Sequence, residues 1–286
     1  MYSIDRLVLP APAKINRFLH ITGRRADGYH QLQTLLQFLD YGDELIITPH
    51  SQLMLDTASA ELRSENNLIL QAARLLQQTA GCTQGAHITL NKKLPVGGGL
   101  GGGSSNAATA LLGLNIVWQL GLQQDQLAAL GLMLGADVPF FVHGCSAFAE
   151  GIGEQLVYME PSEPWYVVLI PSISISTAAM YGHEDLTRDT SPITVCSAND
   201  HKGTNDFEPL VRRLYPEVDS CLTMMDDFDH LSMGSAMLSG SGACVFKPFA
   251  SQEAANSVLA ALNAEANGFI ARGINRSPLH SLLCEH

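Results

Sequence analysis

The stretch Leu94-Pro95-Val96-Gly97-Gly98-Gly99-Leu100-Gly101-Gly102-Gly103-Ser104-Ser105-Asn106 limits the folds open to this chain more than any other. Six of the ten residues from Gly97 to Asn106 are glycine, so side-chain packing cannot be what holds the segment. Glycine admits positive φ and lets the backbone approach another group closely. Ser104, Ser105 and Asn106 are residue types preferred at helix N-caps. An apolar period through Ala107, Leu111, Leu114 and Trp118 predicts a helix behind them, with Gly121 as its C-cap. A glycine loop that runs into a helix N-terminus presents free N–H groups at the positive end of the helix dipole. Such a site takes an anion, most often a phosphate.

Two common phosphate loops do not fit. A Walker A loop needs Lys after its last glycine, and here Ser104 follows Gly103. Gly97-x-Gly99-x-x-Gly102 matches a dinucleotide fingerprint, but that loop follows its strand directly and has an acid about 20 residues on. Here the strand-like His87-Ile88-Thr89-Leu90 is separated by Asn91 to Pro95, and the next acid, Asp125, opens a helix. A flexible Gly/Ser linker would not be framed by apolar periodic segments.

Charge narrows the partners. A formal net charge of −12 argues against nucleic acid and against an anionic membrane surface. An anionic ligand must then be met by local donors. With 286 residues, 46% hydrophobic and 15% charged, the chain should fold fully as one large or two modest domains. Cys82, Cys145, Cys196, Cys221, Cys244 and Cys284 are scattered without CxxC spacing, the pattern of reduced thiols in a cytoplasmic protein. Asp5 and Arg6 interrupt any apolar start, so no signal peptide is expected. Residues 94–124 carry no charge, but their glycines, serines and asparagines are wrong for a membrane span. Val167 to Ile170 meets Pro171 and reads as the end of a buried strand from Trp165.

Other segments place polar groups where chemistry needs them. Lys14 and Asn16 lie two apart and share one strand face, with Ile15 pointing into a core; a lysine there also suits a solvated edge. Asp27-Gly28 marks a turn, and Tyr29-His30 follows at a loop–strand junction. A flat ring with a polar neighbour suits a nucleobase. Asp43-Glu44 leads into a strand, Leu45 to Thr48. Asn66-Asn67 caps an apolar period from Leu68 that predicts a helix ending near Gly81. Lys92-Lys93 stands just before the glycine loop. Leu127, Leu130 and Leu134 mark a helix stopped by Gly135. Asp137 then precedes Val138-Pro139-Phe140-Phe141, either as a capping carboxylate or as a base in a water-poor cleft. Thr177 is a candidate cap for a helix carrying Tyr181. Asn205 to Tyr215 predicts a helix with acids in its first turn. A second glycine turn, Ser239 to Phe246, enters a strand; 252–262 should be helical and 277–286 irregular.

Pro95 to Ser105 resembles the Pro-x-Gly-x-Gly-Leu-Gly-Ser-Ser signature of the GHMP kinases, with extra glycines. That glycine-expanded form is similar to one branch, the 4-diphosphocytidyl-2-C-methylerythritol kinases. So are Pro12-Ala13-Lys14-Ile15-Asn16, Asp27-Gly28-Tyr29-His30 and Gly135-Ala136-Asp137-Val138-Pro139-Phe140-Phe141, while Ser239 to Phe246 resembles the third GHMP motif. The motifs occur in family order. The resemblance implies an α+β fold in two parts: 1–155, an ATP-binding domain similar to the second domain of ribosomal protein S5, and 156–286, a ferredoxin-like substrate domain, with the site in the cleft. It implies ATP-dependent phosphorylation of the 2-hydroxyl of a diphosphocytidyl-methylerythritol, a small-molecule substrate. Asp137 would be the catalytic base and Lys14 would sit at the transferred phosphate. Pro95, Val96, Gly97, Gly98, Gly99, Leu100, Gly101, Gly102, Gly103, Ser104, Ser105 and Asn106 would hold ATP. Lys92 would reach its phosphate or ribose, and Asn67 and Asn106 would line the adenine pocket. Tyr29, His30, Thr177 and Tyr181 would form the cytidine pocket, Tyr29 and Tyr181 on opposite faces of the ring. Asn16 would reach the erythritol or the phosphates. Mg2+ is expected with ATP, though no acid stands out as its ligand, and the enzyme is expected to be a monomer or weak homodimer.

Overall fold

The computed structural model describes residues 5–198, 203–262 and 266–283. Its frame is one long antiparallel hairpin: β1 (Leu7–Arg24) pairs with β2 (His30–His50) from Leu7↔Ile47 to Arg24↔His30. Gly28, at φ 90°, turns the chain, and Asp27 Oδ1 accepts the Tyr29 N–H across 3.2 Å. The sequence reads here as several shorter strands. The reason is visible in the register, which shifts between Pro12 and Lys14, Asn16 and Leu19, and Ile21 and Gly23. Each shift breaks the alternation of buried and exposed residues while letting a long strand bend. At the first shift the Lys14 N–H donates to Leu100 O, 3.0 Å away, so β1 leaves its ladder to hold the glycine loop.

β3 (Leu53–Thr57) crosses over through α1 (Leu68–Ala80) to β4 (Gly85–Asn91), parallel to it, and β4 runs antiparallel to β2. α2 (Gly102–Val117), α3 (Gln124–Leu134) and α4 (Val138–His143) then cover the sheet, and the hairpin of β5 (Ala147–Glu150) and β6 (Gln155–Tyr158) pairs with β2 through β5. The first core lies between this sheet and these helices, where Leu9, Phe38, Leu45, Ile47, Ile69, Leu76, Leu111 and Phe140 are all fully buried. α2 is buried around most of its surface, which its run of alanine and leucine permits.

The second half comprises β7 (Trp165–Leu169), α5 (Thr177–Gly182), α6 (Glu208–Leu214), α7 (Pro216–Asp226), β8 (Met237–Leu238), β9 (Val245–Phe249), α8 (Gln252–Leu262) and β10 (Gly268–Ile274). Its strands lie in the order β10-β7-β9-β8, all antiparallel. That βαββαβ order with strand four beside strand one is the ferredoxin-like sandwich, so the expected α+β fold holds. The halves share structure. β10 bonds to β2 through Gly273↔Leu39 and Ile274↔Phe38, making one ten-stranded sheet. Leu19, Ile21 and Leu32 of the long hairpin pack into the second core with Val167, Leu222 and Val245. The boundary expected after residue 155 falls on the first residue of β6, whose partner is β5.

Four local expectations are corrected. α2 starts at Gly102 with Gly101 as its N-cap, so Ser104, Ser105 and Asn106 lie inside the first turns; the left-handed Gly101 (φ 72°) already aims its carbonyl at the Ser105 N–H. Its C-cap is Trp118, and Gly121 lies beyond, in the exit turn. The helix expected through 205–215 is α6 alone, which starts three residues later, at Glu208, and ends at its C-cap Tyr215 as expected; a further helix, α7, follows. Pro216 forbids helical backbone at Tyr215, which takes φ −129° and ψ 88°. Residues 278–283, expected to be irregular, form α9 (Pro278–Leu283): Ser277 Oγ accepts the Leu279 N–H, and proline suits a first helical position. The five described cysteines are free, and Cys284 lies outside the described residues. Among the described residues no helix is long and apolar enough to cross a membrane.

α9 closes back on α4. His280 Nε2 lies 2.8 Å from Val142 O, and burial is the main cause holding the imidazole below the ordinary 6.5. A histidine with a depressed folded-state pKa binds its proton more readily when unfolded, so stability falls as pH drops below 6.5. The melting temperature should therefore fall between about pH 7.5 and about pH 5.5, and His280→Gln should shrink that fall. An unchanged fall in the variant removes His280 from the effect.

Candidate active site

A cavity of about 1110 Å³ opens where the two halves meet, and nearly every polar motif of the sequence lines it. At its floor Lys14 is 4% exposed. Its Nζ donates to Asn16 Oδ1 at 2.6 Å and stands 3.3 Å from Asp137 Oδ2. Asn16 Nδ2 donates to Thr34 Oγ1 at 2.8 Å, and Thr34 in turn donates to Phe18 O. The Asn16 amide is therefore committed at both ends to orienting Lys14. Asp137 occupies the N-cap position of α4, but its side chain makes no capping bond. The carboxylate is a third exposed and faces Lys14 instead.

The glycine loop is clamped from three sides. Gly97, Gly99 and Gly101 take φ of 69°, 75° and 72°. At Gly99 the loop crosses the second glycine turn so closely that a Cβ would sit 2.0 Å from Ser239 O. Ser239 Oγ donates to Gly99 O at 3.0 Å, and the Cys244 N–H donates to Gly98 O at 3.1 Å. Asn205 Nδ2 secures that second turn by donating to Leu238 O and Gly240 O. The third clamp is Asp43, which is 3% exposed. Its Oδ1 accepts the N–H groups of Lys93 and Leu94, and its Oδ2 accepts from Lys92 Nζ at 2.5 Å. Lys92 is thus pinned beside the start of α2, with Nζ 3.0 Å from where a Gly102 side chain would begin. Asn67 is spent as the cap of α1: Oδ1 accepts the Ile69 N–H and Nδ2 donates to Leu62 O. Asn106, 4% exposed and on the cavity wall, has an Oδ1 with no partner among the described residues.

At the far end Tyr29 is 60% exposed, whereas His30 is buried. The His30 ring stacks on Tyr181, centroids 4.8 Å apart at 21°, and Phe207 meets Tyr181 edge-on at 4.9 Å. One face of Tyr181 is therefore covered by His30. Burial, then the charge of Asp137, pushes the Tyr181 hydroxyl well above its ordinary range, so it stays protonated. Thr177 Oγ1 lies 2.7 Å from Ser241 Oγ, tying α5 to the second glycine turn. The sequence gives no role to Asp43, Arg188 or Phe207, shows Ser241 only as part of the second glycine turn, and shows Asn205 only as a helix start. Asp43 carried a faint signal, an acid just before an apolar strand.

A buried lysine paired with a half-buried carboxylate, beside a glycine loop at a helix N-terminus, is the chemistry of a phosphotransferase, and the sequence comparisons agree. Residues 67–145 match the GHMP kinases N terminal domain and residues 193–268 the GHMP kinases C terminal domain. The chain belongs to the GHMP kinases, and within them to the family of 4-diphosphocytidyl-2-C-methyl-D-erythritol kinases. It is 50% identical to the protein of that name from Mannheimia succiniciproducens, over 98% of this chain and 91% of the relative. It is 52% identical to that from Pseudomonas syringae pv. syringae, over 98% and 99%. A crystal structure of 4-(cytidine 5'-diphospho)-2C-methyl-D-erythritol kinase superposes with a TM-score of 0.80 at 32% identity, covering 93% of this chain and 99% of that one.

Proposed function

We infer that this chain is an ATP-dependent kinase that phosphorylates the 2-hydroxyl of 4-diphosphocytidyl-2-C-methyl-D-erythritol, in isoprenoid precursor synthesis. The observation that carries the reading is the Lys14–Asp137 pair, 3.3 Å apart and facing the glycine loop in one cavity. Asp137, free of any capping duty, takes the proton of the attacking alcohol. Lys14, held by Asn16, neutralises charge on the transferring group. Pro95 to Ser105 and the first turn of α2 suit a triphosphate. Gly97, Gly99 and Gly101 hold positive φ, a backbone that turns loop N–H groups toward an anion, and Asn106 Oδ1, without a partner among the described residues, suits a donor such as the adenine amino group. ATP supplies the transferable phosphoryl group there. Lys92 stands at the same helix end, where a cation suits a phosphate. Asn67, though used as a cap, lines the same cavity near the adenine end of our reading.

Mg2+ accompanies ATP in this reading. Among the described residues no three His, Cys, Asp or Glu gather as a metal cluster. Mg2+ bound mainly through substrate phosphates does not need such a cluster. The net charge of −12 supports a partner set without nucleic acid. The five free thiols suit the reducing cytoplasm. Turnover of ATP with the diphosphocytidyl alcohol, beside homoserine, mevalonate and galactose, tests the substrate. Equal turnover with any of the other three would overturn it.

Tyr29, His30, Thr177 and Tyr181 form the cytidine end of this reading. Tyr29→Ala should raise KM for the alcohol substrate about 5–150-fold, from a stacking contribution of about 1–3 kcal/mol, and leave that for ATP unchanged. Tyr29→Phe should cost far less. Because Tyr29 is exposed, its removal should not lower the melting temperature. Tyr181→Ala, which strips the ring under His30, should raise the same KM and also destabilise the fold by about 3 kcal/mol or more. Steady-state kinetics with each substrate varied in turn checks this, and unchanged KM for the alcohol in both alanine variants would move the cytidine pocket elsewhere.

A further inference from the structure

His30 enters the cavity where β2 begins, and its two ring nitrogens are not equivalent. Arg188 Nε donates to His30 Nε2 across 3.0 Å. A nitrogen that accepts carries a lone pair, so the imidazole is neutral and its proton resides on Nδ1. Burial of the ring, followed by the charges of Arg188 and Arg24, holds its pKa below the ordinary value, the same direction. Nδ1 makes no hydrogen bond to the described residues, and the ring lines the cavity.

Arg188 makes no ion pair with a carboxylate among the described residues; its donors go elsewhere. Nη1 donates to Glu184 O at 3.3 Å and Leu186 O at 2.9 Å, and Nη2 to Tyr181 O at 3.0 Å and His183 O at 2.7 Å. The guanidinium therefore grips the turn that follows Tyr181 and, with its remaining donor, the imidazole that stacks on Tyr181. The planar fork fixes the direction of every N–H. The other tautomer would set N–H against N–H, and a flipped ring would set C–H against N–H.

We propose that Arg188 is a positioning residue that fixes His30 as the Nδ1–H tautomer, so that the pocket offers a donor to the N3 acceptor of cytosine and rejects uracil. The proposal rests on the cytidine reading above. Cytosine N3 carries a lone pair where uracil N3 carries a hydrogen, so the same Nδ1–H that bonds one base opposes the other. A site built around a hydrogen bond discriminates through the groups it leaves unpaired.

The test combines nitrogen–proton correlation spectra of the histidine side chains with calorimetric titration of CDP, UDP and ATP. In the wild-type protein His30 should show the Nδ1–H pattern at neutral pH, and CDP should bind at least about tenfold more tightly than UDP. Arg188→Met should move His30 to the Nε2–H form or to a titrating mixture and erase the preference for CDP, with ATP affinity unchanged. Asn places its amide N–H near the position of Nδ1–H, so adding His30→Asn to Arg188→Met should restore the preference. An Arg188→Met protein that keeps the Nδ1–H pattern and loses CDP and UDP affinity alike overturns the proposal, because Arg188 would then only brace the turn. Where Arg188→Met fails to fold, the wild-type spectrum decides alone: an Nε2–H or doubly protonated His30 overturns it. A wild-type protein that binds CDP and UDP equally overturns the cytidine reading itself. A wild-type preference for CDP with an Nε2–H His30 overturns only the role of Arg188.

Discussion

Asp137→Asn should lower turnover by about 10²–10⁴-fold, the usual cost of losing a general base, and leave ATP bound. The substitution is nearly isosteric, and the structure says what it spares. Asp137 makes no capping bond to α4, so its amide equivalent breaks no helix start. Val138, Pro139, Phe140 and Phe141 are buried in the first core and keep the segment in place. What changes is charge. Lys14 is 4% exposed, stands 3.3 Å from Asp137 Oδ2, and retains only the neutral Asn16 Oδ1 at 2.6 Å. A buried ammonium without its counter-ion seeks another anion, and a triphosphate at the glycine loop supplies one. Loss of turnover with retained ATP binding separates a base from a structural carboxylate. Turnover above about a tenth of wild type in a folded variant would remove Asp137 from the role, since a base contributes at least about 10²-fold.

The residues that carry this chemistry were legible because short-range constraints write them into the chain. Lys14 and Asn16 share a strand face whatever the rest of the fold does, and a glycine run before an apolar period has few other uses. The supports were not legible, because their partners lie far along the chain. Asp43 bonds residues 50 and 51 positions away, Arg188 reaches His30 across 158 positions, and Asn205 holds carbonyls 33 and 35 positions on. No local pattern marks an acid or an arginine as the clamp of a distant loop. The architecture divides the same way. In the βαββαβ half β7, α5, α6, β9 and α8 are legible, but α7 and β10 are not, and the long hairpin does not show as one element, because register shifts interrupt its alternation. Where the sequence misleads locally, a strong local rule outweighs the irregular composition, as with the serine–proline pair that opens α9.

Gly101→Val should cost ATP affinity at least about 100-fold while the protein still folds. Two effects add. At φ 72° a β-branched residue is strained by about 1–3 kcal/mol, which alone corresponds to roughly 5–150-fold if the strain is relieved only by abandoning the loop conformation. The new Cβ would also lie 2.7 Å from Phe141 Cζ and 2.9 Å from Lys14 Cγ. Both neighbours are side-chain atoms, so the clash can be relieved by moving them, and the fold survives. Moving them displaces Lys14 from Asp137 and widens the turn that caps α2. Gly28→Val gives the matching control. That residue is at φ 90° on the cavity rim, with nothing within 4 Å of the added carbon. It should share the backbone strain and leave ATP affinity intact. Gly99→Val should instead lower the melting temperature sharply, because its Cβ meets the Ser239 carbonyl at 2.0 Å and the two glycine turns must part. Calorimetry of ATP binding on the three folded variants, beside their melting curves, checks the ordering. Unchanged ATP affinity in folded Gly101→Val would mean that the phosphates bind elsewhere and that this loop serves only to join β4 to α2.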